Sequence, residues 1–145
     1  MKYEIISDMI IVYLYDKKYK NISINSLIIN VFNVLKKYYK IPINNSYNIE
    51  LYKNKYYGII LKIKDNDINY FNNTIDINLK ILNDVLFLYE VDDPLDYINN
   101  EIYYYDNKFY INFKKINIDI LENTKLIFGK EVYKIIGKGI KLWYN

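Results

Sequence analysis

The chain has 145 residues and a formal net charge of +3, and it contains neither cysteine nor histidine. That length predicts one domain or two very small ones. Without cysteine and histidine, disulfide bonds, cysteine nucleophiles, histidine acid–base groups and cysteine–histidine zinc sites are all excluded. Carboxylate pairs alone can still support catalysis, and an enzyme of that kind is a third alternative. We expect a protein that is not an enzyme and that uses no cofactor or metal.

Composition also bears on the core and on nucleic acids. Arginine, alanine and glutamine are absent, whereas isoleucine, lysine, asparagine and tyrosine are abundant, as expected of an AT-rich genome. Apolar residues make up 52% of the chain, which is ample for a buried core. The lysines are scattered among acidic residues and no arginine can read base edges, so no specific nucleic-acid binding is expected.

No apolar run approaches the roughly 20 residues of a membrane span. The N-terminus alternates from Tyr3 onward and has no signal-peptide core. The absence of cysteine fits a reducing compartment. We therefore expect a cytoplasmic protein without a membrane partner.

Two hairpins are predicted in the first half of the chain. Their strand pairs are Lys2–Ile6 with Met9–Tyr15, and Tyr47–Lys53 with Tyr56–Lys64. The intervening dipeptides are Ser7-Asp8 and Asn54-Lys55, and Asn and Asp favour tight turns.

A helix is predicted between these hairpins. Asn25 or Ser26 can cap it, and it runs to about Tyr39, before Pro42. Apolar residues follow the spacing of one buried helical face. These residues are Ile28, Val31, Phe32, Leu35 and Tyr38 or Tyr39.

A polar segment divides the chain. Residues 66–74 lack apolar periodicity and form a candidate linker. It would join a hairpin–helix–hairpin unit over 1–65 to a hairpin-rich unit over 75–145. The alternative is a single domain over 1–145.

The second half begins with another predicted hairpin, Ile75–Leu82 with Val85–Val91, around Asn83-Asp84. The second of these strands is apolar on both faces, which predicts a central position in the sheet. Asp92 or Asp93 then caps a short helix that has Pro94 at its first position.

A tyrosine-rich hairpin follows, with the strands Glu101–Tyr105 and Lys108–Phe113 around Asp106-Asn107. Pairing across this turn assigns one side of each strand to the core: Ile102, Tyr104, Phe109, Ile111 and Phe113. The other side presents Tyr103, Tyr105, Lys108, Tyr110 and Asn112. Residues 117–127 are ambiguous and compatible with a short helix, and strands are predicted at Val132–Ile136 and Gly139–Tyr144.

Together these elements predict an α+β fold with hairpin-rich antiparallel sheets, one principal helix and one or two short helices. The candidate functional residues are Tyr103, Tyr105, Lys108 and Tyr110, which we predict to be a protein-binding surface because tyrosine offers large contact area with few rotors. Stacking on single-stranded bases and an ordinary amphipathic sheet face, partly covered by the short helix, are the alternatives.

The acidic cluster of Asp92, Asp93 and Asp96 has two interpretations. Its carboxylates could hold a hard cation. A helix cap explains each residue and is preferred.

The second half resembles the C-terminal domain of the MecA family of adaptor proteins. The matching segments are the strand Leu86–Val91, the acidic Asp92–Ile98, the hairpin Ile102–Ile111 and the later Phe128-Gly129-Lys130. The first half, from its Met1–Asp8 opening onward, is similar to the family's N-terminal domain in the order of its elements. This chain is shorter than those adaptors, and it is mildly basic where they are acidic.

The resemblance implies a non-enzymatic adaptor. One half would bind client polypeptides, and the other would dock on an AAA+ unfoldase of the ClpC type and promote its assembly with a protease. The alternative is a small interaction or inhibitor protein, from a phage or a mobile element, that acts by covering a surface of its target. The sequence does not indicate an oligomeric state.

Overall fold

The structure, a computed structural model, describes residues 1–15, 17–40, 46–65 and 76–142. Over these residues it has two five-stranded sheets and three α-helices, so the predicted α+β class is confirmed. The chain divides into two compact units, Met1–Asn83 and Asp84–Asn145. The predicted linker, 66–74, lies outside the described residues. None of the described helices combines the length and the apolar character needed to cross a membrane.

Unit 1 contains one sheet and one principal helix. Its elements are β1 (Lys2–Ile6), β2 (Met9–Tyr15), a 3₁₀ helix (Lys17–Asn21), α1 (Ile24–Lys37), β3 (Ser46–Asn54), β4 (Gly58–Asp65) and β5 (Asp76–Leu82). The strand order is β1-β2-β4-β3-β5. All neighbouring pairs are antiparallel except β3 with β5, which is parallel.

The two predicted hairpins of unit 1 are present. In the first, Ile6 pairs with Met9, and Ser7 takes the left-handed conformation (φ 57°) that the tight turn requires. In the second, the turn is longer than predicted and lies one residue later, because β3 continues through Asn54 and β4 begins only at Gly58. The Asn54 side-chain oxygen accepts hydrogen bonds from the backbone N–H groups of Tyr56 and Tyr57 at 2.9 and 3.0 Å. These bonds stabilise a loop that is longer than the predicted two-residue Asn54-Lys55 turn.

Helix α1 begins earlier and ends earlier than the sequence predicts. Its N-cap is Ser23, whose hydroxyl accepts the Ser26 N–H at 3.3 Å, so the predicted cap at Asn25 or Ser26 is wrong. The helix ends at Lys37 and leaves Tyr38 exposed, so Tyr38 is not a core residue. Pro42 lies outside the described residues.

The core of unit 1 lies between α1 and one face of the sheet. The helix contributes Leu27, Ile28, Val31, Phe32 and Leu35, which confirms the predicted apolar face and adds Leu27. The three inner strands contribute Val12, Leu14, Tyr47, Ile49, Leu51, Ile59, Leu61 and Ile63. Burial of these side chains is the main force that stabilises unit 1.

Strand β5 corrects the prediction for the start of the second half. Asp76–Leu82 does not form a hairpin with Val85–Val91, although Asp84 takes the turn-compatible left-handed conformation (φ 53°). It pairs instead with β3 and packs Ile77 and Leu79 against the core of unit 1. The strand that the sequence pattern assigns to the second unit therefore belongs to the first.

Unit 2 contains a second sheet with short helical segments. Its elements are β6 (Leu88–Val91), a 3₁₀ helix (Pro94–Tyr97), β7 (Glu101–Tyr105), β8 (Lys108–Asn112), α2 (Ile118–Asn123), β9 (Lys125–Ile127), α3 (Lys130–Lys138) and β10 (Ile140–Leu142). The strand order is β10-β7-β8-β6-β9, and each pair is antiparallel. Strand β6 lies between β8 and β9, as its apolar character on both faces predicts.

Helix α3 replaces the strand predicted at Val132–Ile136. Val132, Ile135 and Ile136 have the i, i+3, i+4 spacing of one helical face, and the first two are fully buried. Gly129 precedes the helix with φ 80°, and Gly139 ends it by donating its N–H to the Ile135 carbonyl at 2.7 Å. A short apolar run alone does not distinguish a strand from a buried helix.

Candidate protein-binding surface

The predicted functional residues lie on the β7–β8 hairpin, and its geometry is as predicted. Asp106 and Asn107 both have positive φ (52° and 61°), which is the two-residue turn that matches strand twist. Tyr103 pairs with Tyr110, and Tyr105 pairs with Lys108. All four predicted residues therefore lie on one face of the sheet.

That face is covered. Tyr103 and Tyr110 expose only 8% and 4% of their surface, because Val132 and Ile135 of α3 pack against them. The prediction that these two tyrosines face solvent is wrong, and the cause is the helix that the sequence pattern assigns as a strand. Tyr105 is half-buried against the same cluster, and Lys108 stays exposed.

Polar groups surround the buried tyrosine pair on both sides. On one side, Glu101 accepts hydrogen bonds from the Tyr103 hydroxyl and the Asn112 amide, each at 3.3 Å, and pairs with Lys141 at 3.5 Å. On the other, the Lys108 ammonium lies 3.2 Å from the Glu90 carboxylate.

These contacts explain the pKa shifts on this face. Desolvation raises the pKa of Glu101, but the Asn112 hydrogen bond and the Lys141 charge outweigh it, so the pKa is lowered overall. Desolvation, and then the Glu101 charge, raise the pKa of Tyr103. The hydrogen bond to Glu90 raises the pKa of Lys108. Both ion pairs join neighbouring strands of the sheet, β8 with β6 and β10 with β7. None of these shifts produces a proton donor or acceptor near neutral pH.

The opposite face of the same sheet carries the Pro94–Tyr97 3₁₀ helix. Asp93 caps it by accepting the Leu95 N–H at 3.0 Å, which confirms the predicted capping role. Pro94 is buried, and the Tyr97 ring meets the Phe113 ring edge-on at 5.1 Å. The sequence prediction missed the outward side of this helix, where Leu95 and Ile98 are exposed.

Sheet edges are the remaining candidate surfaces. In unit 2 the edge strands β9 and β10 have three residues each. In unit 1 the edge strands are β1, with five residues, and β5, with seven, and no further strand pairs with β5 among the described residues. A long edge strand offers backbone groups to an incoming chain, whereas short edges limit such pairing.

No group of acidic side chains in the described ranges is arranged to hold a metal ion. A scan against protein-family models, a search of curated proteins and a search of solved structures each return no match.

Proposed function

We propose that this chain is a non-enzymatic adaptor that binds client polypeptides and delivers them to an AAA+ unfoldase of the ClpC type. The observation that supports client binding is the seven-residue edge strand β5. The unfoldase as partner is supported by the resemblance to the MecA family described above.

Strand β5 has the chemistry that strand addition requires. Successive residues of an edge strand direct their N–H and C=O groups alternately inward and outward, so about half of them can bond an added strand. Ile77 and Leu79 lie on the α1 side, where Ile81 is exposed, whereas Asn78 and Lys80 are exposed on the other side. An extended client that alternates apolar and polar residues matches this pattern, with its apolar side chains on the α1 side.

A fluorophore-labelled peptide of alternating valine and threonine tests this site. We expect saturable binding by fluorescence anisotropy, with amide shifts centred on β5. A control peptide with proline at every second position lacks the donors for strand pairing and should bind at least about tenfold more weakly, a difference of roughly 1.4 kcal/mol.

Two matched protein variants locate the binding. Ile81→Lys adds a charge within β5, and we expect it to weaken binding of the valine–threonine peptide about tenfold. Ile29→Lys makes the same change at an exposed position of α1 and should leave affinity unaltered. Equal effects of the two variants would refute strand addition at β5.

Delivery is tested separately with a ClpC-type unfoldase, its protease and a labelled client that contains the valine–threonine segment. We expect the chain to accelerate client degradation and Ile81→Lys to abolish the acceleration. Client binding without any acceleration would refute the delivery role. Inhibition of the protease complex would instead support the surface-covering alternative.

A further inference from the structure

The sheet of unit 2 separates its charges by face. Cross-strand partners share a face, so the register places all the charged residues of β6–β10 on the side that α3 covers. These residues are Glu90, Glu101, Lys108, Lys125 and Lys141. The opposite face receives only apolar and aromatic side chains from the five strands.

This apolar face is only partly covered. At its centre Tyr89, Ile102 and Ile111 are buried, next to Phe113 and the 3₁₀ helix. Toward the β7–β8 turn, a row of cross-strand partners joins Ile140, Tyr104 and Phe109. The tyrosine and the phenylalanine of this row are half-buried, and Ile140 exposes 61% of its surface.

The 3₁₀ helix adds two more apolar side chains at this face. Residues three apart eclipse each other in a 3₁₀ helix, so Pro94 and Tyr97 share the inward row, and Leu95 and Ile98 share an outward one. The outward pair exposes 63% and 42% of its surface. The buried proline, the Tyr97–Phe113 contact and the Asp93 cap hold the backbone that carries this pair. A backbone that is already ordered loses little conformational freedom on binding.

The charged residues of the segment that carries this pair, residues 91–98, are all negative. Asp92, Asp93 and Asp96 are exposed beside the pair, and none of them takes part in an ion pair given by the described part of the chain. We name the surface formed by Leu95, Ile98, Tyr104, Phe109, Ile140 and these three aspartates the acidic apolar face. It contrasts with the net positive charge of the whole chain.

We propose that the acidic apolar face binds a lysine- or arginine-bearing amphipathic segment of a partner protein. The apolar row and the Leu95–Ile98 pair contact the apolar side of that segment, and the aspartates attract its basic side. The inference rests on the proposed function in taking a protein as the partner, but it uses a surface of unit 2 that strand addition at β5 does not involve.

The test uses the full chain and two synthetic peptides of equal length, one made of leucine and lysine and the other of leucine and glutamate. We expect the leucine–lysine peptide to shift the amide resonances of residues 92–98, 104, 109 and 140. Its affinity should fall as salt is added, because exposed charges are screened. The leucine–glutamate peptide should bind at least about tenfold more weakly.

Charge insertion at two exposed positions provides the decisive variant. The double change Leu95→Lys with Ile140→Lys should weaken binding of the leucine–lysine peptide by about tenfold or more. Tyr133→Lys, at an exposed position of α3 on the other side of the sheet, should alter affinity by less than about twofold. Asp92→Asn with Asp96→Asn should weaken binding and reduce its salt dependence.

Several results overturn the proposal. These are equal binding of the two peptides, resonance shifts confined to α3 or to unit 1, and no binding of either peptide. Self-association that the Leu95→Lys and Ile140→Lys changes abolish also overturns it, because the face would then join two copies of the chain. The Ile81→Lys variant separates the two hypotheses: it should weaken binding of the valine–threonine peptide about tenfold and leave binding of the leucine–lysine peptide unaltered.

Discussion

Replacement of Tyr110 by alanine distinguishes a binding surface from a core most directly. The Tyr110 ring is 4% exposed and packs with Leu88, Ile127, Val132 and Ile135, so its removal opens a cavity beneath α3. Truncating a fully buried aromatic residue costs about 3–5 kcal/mol of unfolding free energy. The matched control is Tyr133→Ala on α3, where the ring is 54% exposed. A change at such a surface position stays within about 0.5 kcal/mol.

Urea unfolding gives both free energies, and the amide resonances of residues 84–142 report on unit 2 alone. A third variant, Tyr110→Phe, keeps the ring and should retain most of the stability, which assigns the effect to packing. The reasoning is refuted if Tyr110→Ala costs no more than Tyr133→Ala. That outcome would mean that α3 does not cover the hairpin and that the tyrosine face is open to a partner, as the sequence pattern alone predicts.

Two further predictions concern unit 1. Ser23→Ala should cost about 1 kcal/mol by urea unfolding, since it removes the N-cap, whereas Asn25→Ala should cost much less; the reverse order would contradict the observed helix start. Alkaline pH should destabilise the unit, because burial, followed by the hydrogen bonds and charges of their neighbouring glutamates, raises the pKa of Tyr13 and Tyr52 well above 10.0. Stability should be complete below pH 10 and fall as the pH rises above it, since unfolded tyrosines ionise first; an unchanged urea midpoint across this range would contradict the shift.

Local turn chemistry predicted some pairings well. At Asp106-Asn107 both residues tolerate positive φ, and the observed register follows the prediction from Tyr105–Lys108 to Glu101–Asn112. The same chemistry at Asn83-Asp84 predicted a hairpin that does not form. Pairing with β3 places Ile77 and Leu79 against the core of unit 1, which buries their apolar side chains. Which distant strand pairs with β5 is a long-range choice that a dipeptide does not encode.

The error at the candidate site has one physical origin. The alternation along β7 and β8 was predicted correctly, but both faces of this hairpin carry large aromatic residues. The sequence pattern predicts no cover for the tyrosine face and therefore places it in solvent. The apolar run Val132–Ile136 predicts a strand, although its spacing also fits a helix, and the helix that forms there supplies the cover. An incorrect period in one segment thus changed the predicted environment of Tyr103 and Tyr110.

The side of each strand on which the charged residues lie distinguishes the two faces of the sheet, whereas the many tyrosines do not. In a chain so rich in tyrosine, an aromatic side chain says little about which face is exposed, but a charged side chain buried without a partner is costly. Glu101, Lys108 and Lys141 share the face that α3 covers. There Lys141 pairs with Glu101, and Lys108 pairs with Glu90. The other face is free of charge along the strands, and the four-residue Pro94–Tyr97 helix packs against it through the Tyr97–Phe113 contact, with the Phe113 ring also meeting Tyr89. An apolar sheet face wider than its cover must either stay partly wet or meet another polypeptide, and the aspartates beside it favour a basic one.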